Sequence, residues 1–177
     1  KDQKVHCAVN ADDGMDEGPY SPSNEAYVLN SVPAIISVTL GPVGAKTNDV
    51  VTATVITDDP DGDEALAQYS WYVNEMLVAA LPTLNGAVYF DKNDVVRVEV
   101  TPFDGEDDGA MMMSSPLTIQ NTPPSPPTSE VSPVDPLTAS DDILCTLTDF
   151  ASDADGDDLT YSIEWTRDGN VHGLTTT

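Results

Sequence analysis

Apolar and polar residues alternate in several short stretches of the chain. Val51, Ala53 and Val55 alternate with Thr52 and Thr54; Tyr69, Trp71 and Val73 with Ser70, Tyr72 and Asn74; Val96, Val98 and Val100 with Arg97 and Glu99. A period of two puts alternate side chains on opposite faces, so each stretch predicts a strand with one buried face. Further apolar runs at 35–40, 76–80, 87–90 and 109–119 bring the expectation to about seven strands in about ninety residues. Gly, Pro and Asp turns separate them, and no stretch offers a helical stripe. The pattern is all-β, that of an antiparallel β-sandwich.

The pattern then recurs. Shifting the first thirty residues by 91 gives nine identities in thirty without a gap, among them Lys1 on Lys92, Val5 on Val96, Val9 on Val100, Asp13-Gly14 on Asp104-Gly105, Asp16 on Asp107, Gly18 on Gly109 and Asn30 on Asn121. Pro42-Val43 falls on Pro133-Val134 in the same register, and small insertions carry Asp59, Asp61 and Asp63 onto Asp153, Asp155 and Asp157, and Trp71 onto Trp165, at an offset of 94. A fixed period predicts tandem repeats of about 91 residues. The chain then parses into the C-terminal part of one repeat (1–29), a complete repeat (30–120) and the N-terminal part of a third (121–177). Partial sandwiches leave apolar faces and strand edges open. Their complements are expected either in further repeats of a longer array or in the partial repeat of an identical subunit placed end to end.

The two cysteines gain meaning from this register. Cys145 falls on the second strand of its repeat and Cys7 on the sixth, the strands that an immunoglobulin-like sandwich bridges beside a buried third-strand Trp. The complete repeat carries Ala53 and Val98 there, so it is expected to lack a bridge that its neighbours have. Cys7 and Cys145 are disulfide candidates, with each other or with partners elsewhere, and the alternative is two free buried thiols. A disulfide would place the protein outside the cytosol.

Charge narrows the partners. The chain has 31 acidic and 6 basic residues and a formal charge of −25. Nucleic acid and anionic lipid would be repelled, because both are bound through Lys and Arg on phosphate. No apolar run approaches the roughly 20 residues needed to cross a bilayer. The opening Lys1-Asp2-Gln3-Lys4 has no signal pattern, so the chain reads as a soluble segment of something longer. Zinc-protease, nucleophile-elbow, phosphate-loop and Cys-His signatures are missing, so no enzyme is expected. His6 and His172 stand alone and are assigned no chemistry.

The acidic residues gather in turns: 12–17, 58–64, 104–108 and 153–158. The second-to-third and sixth-to-seventh strand loops of a sandwich emerge at one pole, which sets Asp59, Asp61 and Asp63 near Asp104, with the Asn30 linker beside them. Carboxylates held close repel unless a cation joins them, and calcium, which takes six to eight oxygens, suits a cluster without His or Cys. Glu64 and Asp158 occupy the place where an EF-hand loop needs Gly, so this is not that motif. The alternative is a solvated acidic turn.

The paired Asp residues of the second loop, the Asp-Gly of the sixth, and the Asn-x-x-Pro linkers at Asn30 and Asn121 resemble the cadherin-like, PKD-like and bacterial immunoglobulin-like repeats of large extracellular proteins. The resemblance implies calcium at each junction between domains, held by Asn30, Asp59, Asp61 and Asp104 and, at the next, by Asn121, Asp153 and Asp155. It also implies an extracellular or cell-surface structural role, as a stalk, fibre or adhesion filament whose partners are neighbouring repeats or identical subunits. Ser and Thr of the stiff Pro-rich segment 122–128 become O-glycan candidates in that setting. Met111-Met112-Met113 reads as the start of an edge strand covered by a neighbour. The competing reading is a carbohydrate- or protein-binding accessory module of a secreted protein, for which Tyr20, Tyr27 and Tyr72 are the stacking candidates.

Overall fold

The alternating stretches form strands in the structure, a computed structural model that describes residues 1–135, 138 and 140–176, the last three without side chains. Pro136, Leu137, Ala139 and Thr177, within the segment parsed as the third repeat, lie outside the described residues. The chain divides into two compact units, residues 1–43, 51–84 and 95–117 in one and residues 44–50, 85–94 and 118–177 in the other.

The chain opens with two short antiparallel ribbons. β1 (Lys4–Val5), β2 (Ala8–Val9), β3 (Ser21–Pro22) and β4 (Ala26–Tyr27) pair as β1 with β4 and β2 with β3, and all four are exposed. β5 (Ala34–Gly41) then pairs antiparallel with β6 (Val50–Asp58), while β7 (Leu66–Val73) folds back on β8 (Met76–Ala79). β9 (Thr83–Asn85) completes a β5-β6-β9 sheet; β10 (Val95–Phe103) joins β7 along its length, and β11 (Met112–Met113) and β12 (Leu117–Thr118) both pair with β10.

Both sheets bury the alternate set that the sequence pattern marks. Ile35, Val51, Ala53 and Leu84 are buried from the β5-β6-β9 sheet, and Trp71, Val73, Val96, Val98 and Val100 from the other. Two antiparallel sheets, each with one buried face, are consistent with a β-sandwich. Each of the Val, Leu and Ile side chains among them contributes on the order of 1.5–3 kcal/mol when fully buried. The fully buried Trp71 donates its indole N–H to Leu81 O at 2.7 Å, so its one polar atom is satisfied.

Two expected strands come out differently. The run 87–90 is not a strand but part of a single helical turn, α1 (Gly86–Tyr89). Asn85 Oδ1 accepts the Ala87 N–H at 3.1 Å, which caps the turn; a four-residue apolar run has no periodicity to separate the two conformations. The run 109–119 breaks into β11 and β12 at Ser114-Ser115-Pro116. Buried Ser114 donates its N–H to Val98 O at 2.9 Å and accepts the Val98 N–H on Oγ at 3.1 Å, a side chain standing in for a ladder partner.

In the second unit, β13 (Thr128–Ser132) pairs antiparallel with β14 (Leu144–Asp149), and β15 (Ser162–Arg167) with β16 (Asn170–Thr176). The β15-β16 turn copies the β7-β8 turn. The register shifts at Trp165/Thr166 as it does at Trp71/Tyr72, and Asp168 and Asn74 hold φ of 50° and 49°. The ribbons of 1–29 likewise copy contacts 91 residues on. Ser23 N–H and Oγ bond Cys7 at 2.7 and 3.0 Å, as Ser114 bonds Val98, and Gly18 N–H donates to Ala11 O at 2.7 Å as Gly109 N–H does to Pro102 O at 2.8 Å.

Cys7 and Cys145 do not bridge one another; both are free thiols, Cys7 exposed and Cys145 half-buried. Cys7 sits between two-residue strands with no core over it, so neither the mutual disulfide nor the buried thiol expected for it is formed.

Candidate acidic junction sites

The 59–64 loop folds around its first carboxylate. Asp59 Oδ1 accepts the N–H of Asp61 at 2.8 Å and of Asp63 at 3.2 Å, and its carbonyl accepts the Gly62 N–H at 3.1 Å. Short Asp side chains bond the backbone just ahead in this way, and Gly62 supplies the φ of +79° that the bend requires. One carboxylate oxygen each from Asp59, Asp61 and Asp63 then lies within 4.8 Å of the others. Asp59 Oδ2 is buried with no hydrogen-bond partner.

Two further segments close on this loop. Ser31 donates its N–H to Asp61 Oδ2 at 2.6 Å, and that bond holds the Asp61 carboxyl below the usual range. Asn30 donates its amide to Asp104 Oδ2 at 2.9 Å and Asp107 Oδ2 at 3.1 Å. Asp104 Oδ1 accepts the N–H groups of Glu106 and Asp107, both at 2.8 Å. The Asp107 amide first, then the Asn30 side chain and the Glu106 amide, pull the Asp104 carboxyl down to about 2. Lys1 joins the two loops: its ammonium lies 2.6 Å from Asp63 Oδ2, 3.3 Å from Asn30 Oδ1 and 3.7 Å from Glu106 Oε1. The Asp63 carboxylate raises the Lys1 pKa above its ordinary value.

The second unit holds the same construction. Asp153 Oδ1 accepts the N–H of Asp155 at 2.8 Å and of Asp157 at 3.3 Å, its carbonyl accepts the Gly156 N–H at 3.4 Å, and Gly156 has a φ of +74°. Oxygens of Asp153, Asp155 and Asp157 again lie within 4.8 Å of one another. Thr122 donates its N–H to Asp155 Oδ2 at 2.6 Å, as Ser31 does to Asp61. The Lys92 ammonium pairs with Asp157, which raises the lysine's pKa. The Asp155 carboxyl lies below its ordinary value, through the nearby hydroxyl of buried Thr47, which makes no hydrogen bond of normal geometry, ahead of the Thr122 amide.

Of the ligands marked in the sequence, the structure draws Asn30, Asp59, Asp61, Asp63 and Asp104 into one neighbourhood, and Asp153, Asp155 and Asp157 into another. Asn121 does not repeat the role of Asn30; its amide donates to Thr122 O at 3.1 Å. Sequence reasoning missed Lys1, Lys92, Thr47, Glu106, Asp107 and the amides of Ser31 and Thr122. The identity of Lys1 and Lys92 in the 91-residue register was a signal for the lysines; nothing in residue type marks a backbone N–H as a ligand to a distant loop.

The remaining candidates are engaged or exposed. Tyr72 donates its hydroxyl to Glu99 Oε2 at 2.8 Å, which raises its pKa, and Tyr27 donates to Glu25 Oε2 at 3.2 Å with the Lys4 ammonium 5.3 Å from its ring. Tyr20, His6 and His172 are exposed. Met112 and Met113 form β11, and Met111 and Met113 are exposed.

These features define the class: an all-β protein of antiparallel sheets with acidic loops each bonded by a backbone amide of the segment ahead of β5 or β13, Ser31 or Thr122, and by a lysine. No known protein family, curated protein or solved structure matches the chain. Among the described residues no helix is long and apolar enough to cross a membrane.

Proposed function

We propose that this chain is a segment of an extracellular structural array, a stalk, fibre or adhesion filament of immunoglobulin-like repeats about 91 residues long, with calcium held in the acidic loop at each junction. The observation that carries the reading is the duplicated junction: Ser31 to Asp61 and Thr122 to Asp155 both at 2.6 Å, with Lys1 on Asp63 and Lys92 on Asp157. Equivalent contacts repeated at offsets of 91 residues for the donors and 94 for the acidic loop are what stacked copies of one module, with a small insertion in one, produce. Support for an ion is local. In each triad a lysine ammonium pairs with one carboxylate, Asp63 or Asp157, and Asp59 has already used Oδ1 on two amides while its buried Oδ2 has no hydrogen-bond partner. Such oxygens suit a hard cation with a flexible oxygen shell better than a transition metal. A stiffened junction makes the role mechanical rather than catalytic. Engagement of Tyr27 and Tyr72 with glutamates gives the sugar-stacking alternative less support.

Thermal unfolding of the full chain in EDTA and in rising calcium tests this. Binding to the folded state adds RT ln(1 + [Ca]/Kd), about 2.7 kcal/mol per site at ~100-fold excess, with Kd on the order of 10⁻⁴–10⁻³ M for an extracellular module. Asp59→Asn and Asp153→Asn keep the Oδ1 acceptor of each turn and remove the charge. Each is expected to abolish the calcium-dependent rise from its own site while leaving the EDTA midpoint nearly unchanged. A midpoint indifferent to calcium sinks the ion; a rise lost through one triad only sinks the equivalence of the two junctions.

A further inference from the structure

The segment 119–125 is stitched to loops on both sides of it, all within the second unit. Toward residues 30–120, Gln120 donates its N–H to Ala45 O at 2.7 Å and pairs with Lys46, while Asn93 donates to Ile119 O and Ile119 to Asp94 O, both at 2.9 Å. Toward the acidic loop, Thr122 donates its N–H to Asp155 Oδ2 at 2.6 Å, Ser125 donates to Ser152 O at 2.8 Å, and Ser152 N–H returns to Ser125 Oγ at 2.7 Å. These bonds bring the turn at 44–49 up to the loop at 152–157. Asp49 closes that turn, its Oδ2 accepting the Lys46 N–H at 2.9 Å and its own N–H donating to Lys46 O at 3.0 Å, with Thr47 and Asn48 at the tip. Thr47 is nonetheless only 6% exposed, a polar tip residue turned inward. Among the described residues its Oγ1 is buried without a hydrogen-bond partner, and so are Thr122 Oγ1 and Asp155 Oδ1. These oxygens share one place, since both hydroxyls act on the Asp155 carboxyl and favour its charged form. A buried hydroxyl beside a carboxylate ordinarily donates to it; here the atoms are near without the geometry of that bond. The Lys92 ammonium goes to Asp157 and leaves these oxygens without a hydrogen bond. A cation among them satisfies all of them at once, because each offers a lone pair and oxygens of this kind are the ligands of a hard ion.

We infer that the calcium ion of this junction is held from both sides: Thr47 Oγ1, from the turn ahead of β6, and Thr122 Oγ1, from the linker, join Asp155 Oδ1 and the acidic triad as its ligands. The inference rests on the repeat and calcium readings above and adds to them a ligand from the preceding repeat. An ion held by the acidic loop alone stiffens only that loop. An ion shared with Thr47 bonds residues 30–120 to residues 121–177, so loading it tightens the 119–125 segment that runs between them. The sequence gives no sign of this, because a threonine in a turn has no spacing that ties it to a loop more than a hundred residues on.

The test uses the full chain carrying Asp59→Asn, which silences the 59–63 site, titrated with calcium by calorimetry and melted in EDTA. Thr47→Val keeps the branched shape and removes the oxygen. It is expected to weaken calcium binding about tenfold or more, the scale on which losing even a supporting group acts on metal affinity, while the EDTA midpoint stays level or rises because an unpartnered hydroxyl has gone. Thr47→Ser, which keeps the hydroxyl, is expected to bind as the Asp59→Asn chain does. Thr122→Val leaves its N–H on Asp155, removes only Oγ1, and is expected to weaken binding in the same way, so the test stands even where Thr47→Val does not fold. Calcium is also expected to slow hydrogen exchange at the Gln120 and Thr122 amides, and to lose that effect in Thr47→Val. Affinity undiminished in both valine variants but lost in Asp153→Asn overturns the shared ion and leaves calcium in the loop. A lowered EDTA midpoint in Thr47→Val with its affinity intact makes the hydroxyl a structural bond to Asp155 and overturns it likewise. An Asp59→Asn chain that binds no calcium removes the junction ion itself, and this inference with it.

Discussion

Asp104 shows how a single carboxylate can serve as a knot. Two amides and the Asn30 side chain bond its charged form, which brings its pKa from 3.8 to about 2. A folded-state pKa below the unfolded one contributes stability that is present above the unfolded value and lost as pH falls through the folded one. The thermal midpoint is therefore expected to drop as pH falls from 3.8 toward 2, and Asp104→Asn, which keeps an oxygen acceptor, should flatten part of that drop. An unchanged acid profile in the variant would remove Asp104 from the account. Gly109 is a second knot. A Cβ there would stand 1.8 Å from Pro33 O and 2.8 Å from the Pro102 ring, whereas at Gly18 the nearest atom would be Ala11 O at 3.1 Å. Gly109→Ala is expected to cost about 3 kcal/mol or more, at or above the upper end for overpacking, and Gly18→Ala under about 1 kcal/mol; denaturant titration of both checks the ordering.

At the scale of elements, stability should follow the pattern of burial. β7 and β10 pair over eight positions and carry Trp71, Val73, Val96, Val98 and Val100 into the core, while β1 to β4 are two-residue strands exposed throughout. Backbone bonds beneath a sealed face open only with the whole fold, and those of exposed ribbons open locally. Hydrogen exchange at low concentration is expected to leave β7 and β10 amides the slowest and 1–29 among the fastest. Slow exchange of 1–29 under those conditions would contradict the exposed ribbon. Strand positions were legible where alternation was sustained, in β6, β7 and β10, because a period of two kept over five or six residues fits a strand and no helix. Shorter runs were not: 87–90 became α1, for the local reason that Asn85 caps it, and 109–119 was split by Ser114 bonding to Val98.

At the scale of the molecule, 31 acidic residues against 6 basic ones give a negative field that attracts cations and repels phosphate-bearing polymers. The calcium response belongs to this scale, because one ion in each of two triads should register as two independent losses in Asp59→Asn and Asp153→Asn.

The sequence by itself determined the strands with long alternation, the 91- and 94-residue correspondences, the absence of a membrane-length apolar run, and the grouping of Asp59, Asp61 and Asp63 and of Asp153, Asp155 and Asp157. Those depend on period and local spacing, which the order of residues carries directly. Only the tertiary structure decided which atoms meet across distance. Lys1 reaches Asp63, Ser31 offers its backbone to Asp61, Thr47 faces Asp155, and Asn121 turns to its own neighbour while Asn30 binds Asp104. It likewise decided that Cys7 lies exposed and Cys145 half-buried, as free thiols. A side chain's partner depends on where two loops are carried by the strands beneath them, and a backbone amide has no residue type by which to announce itself.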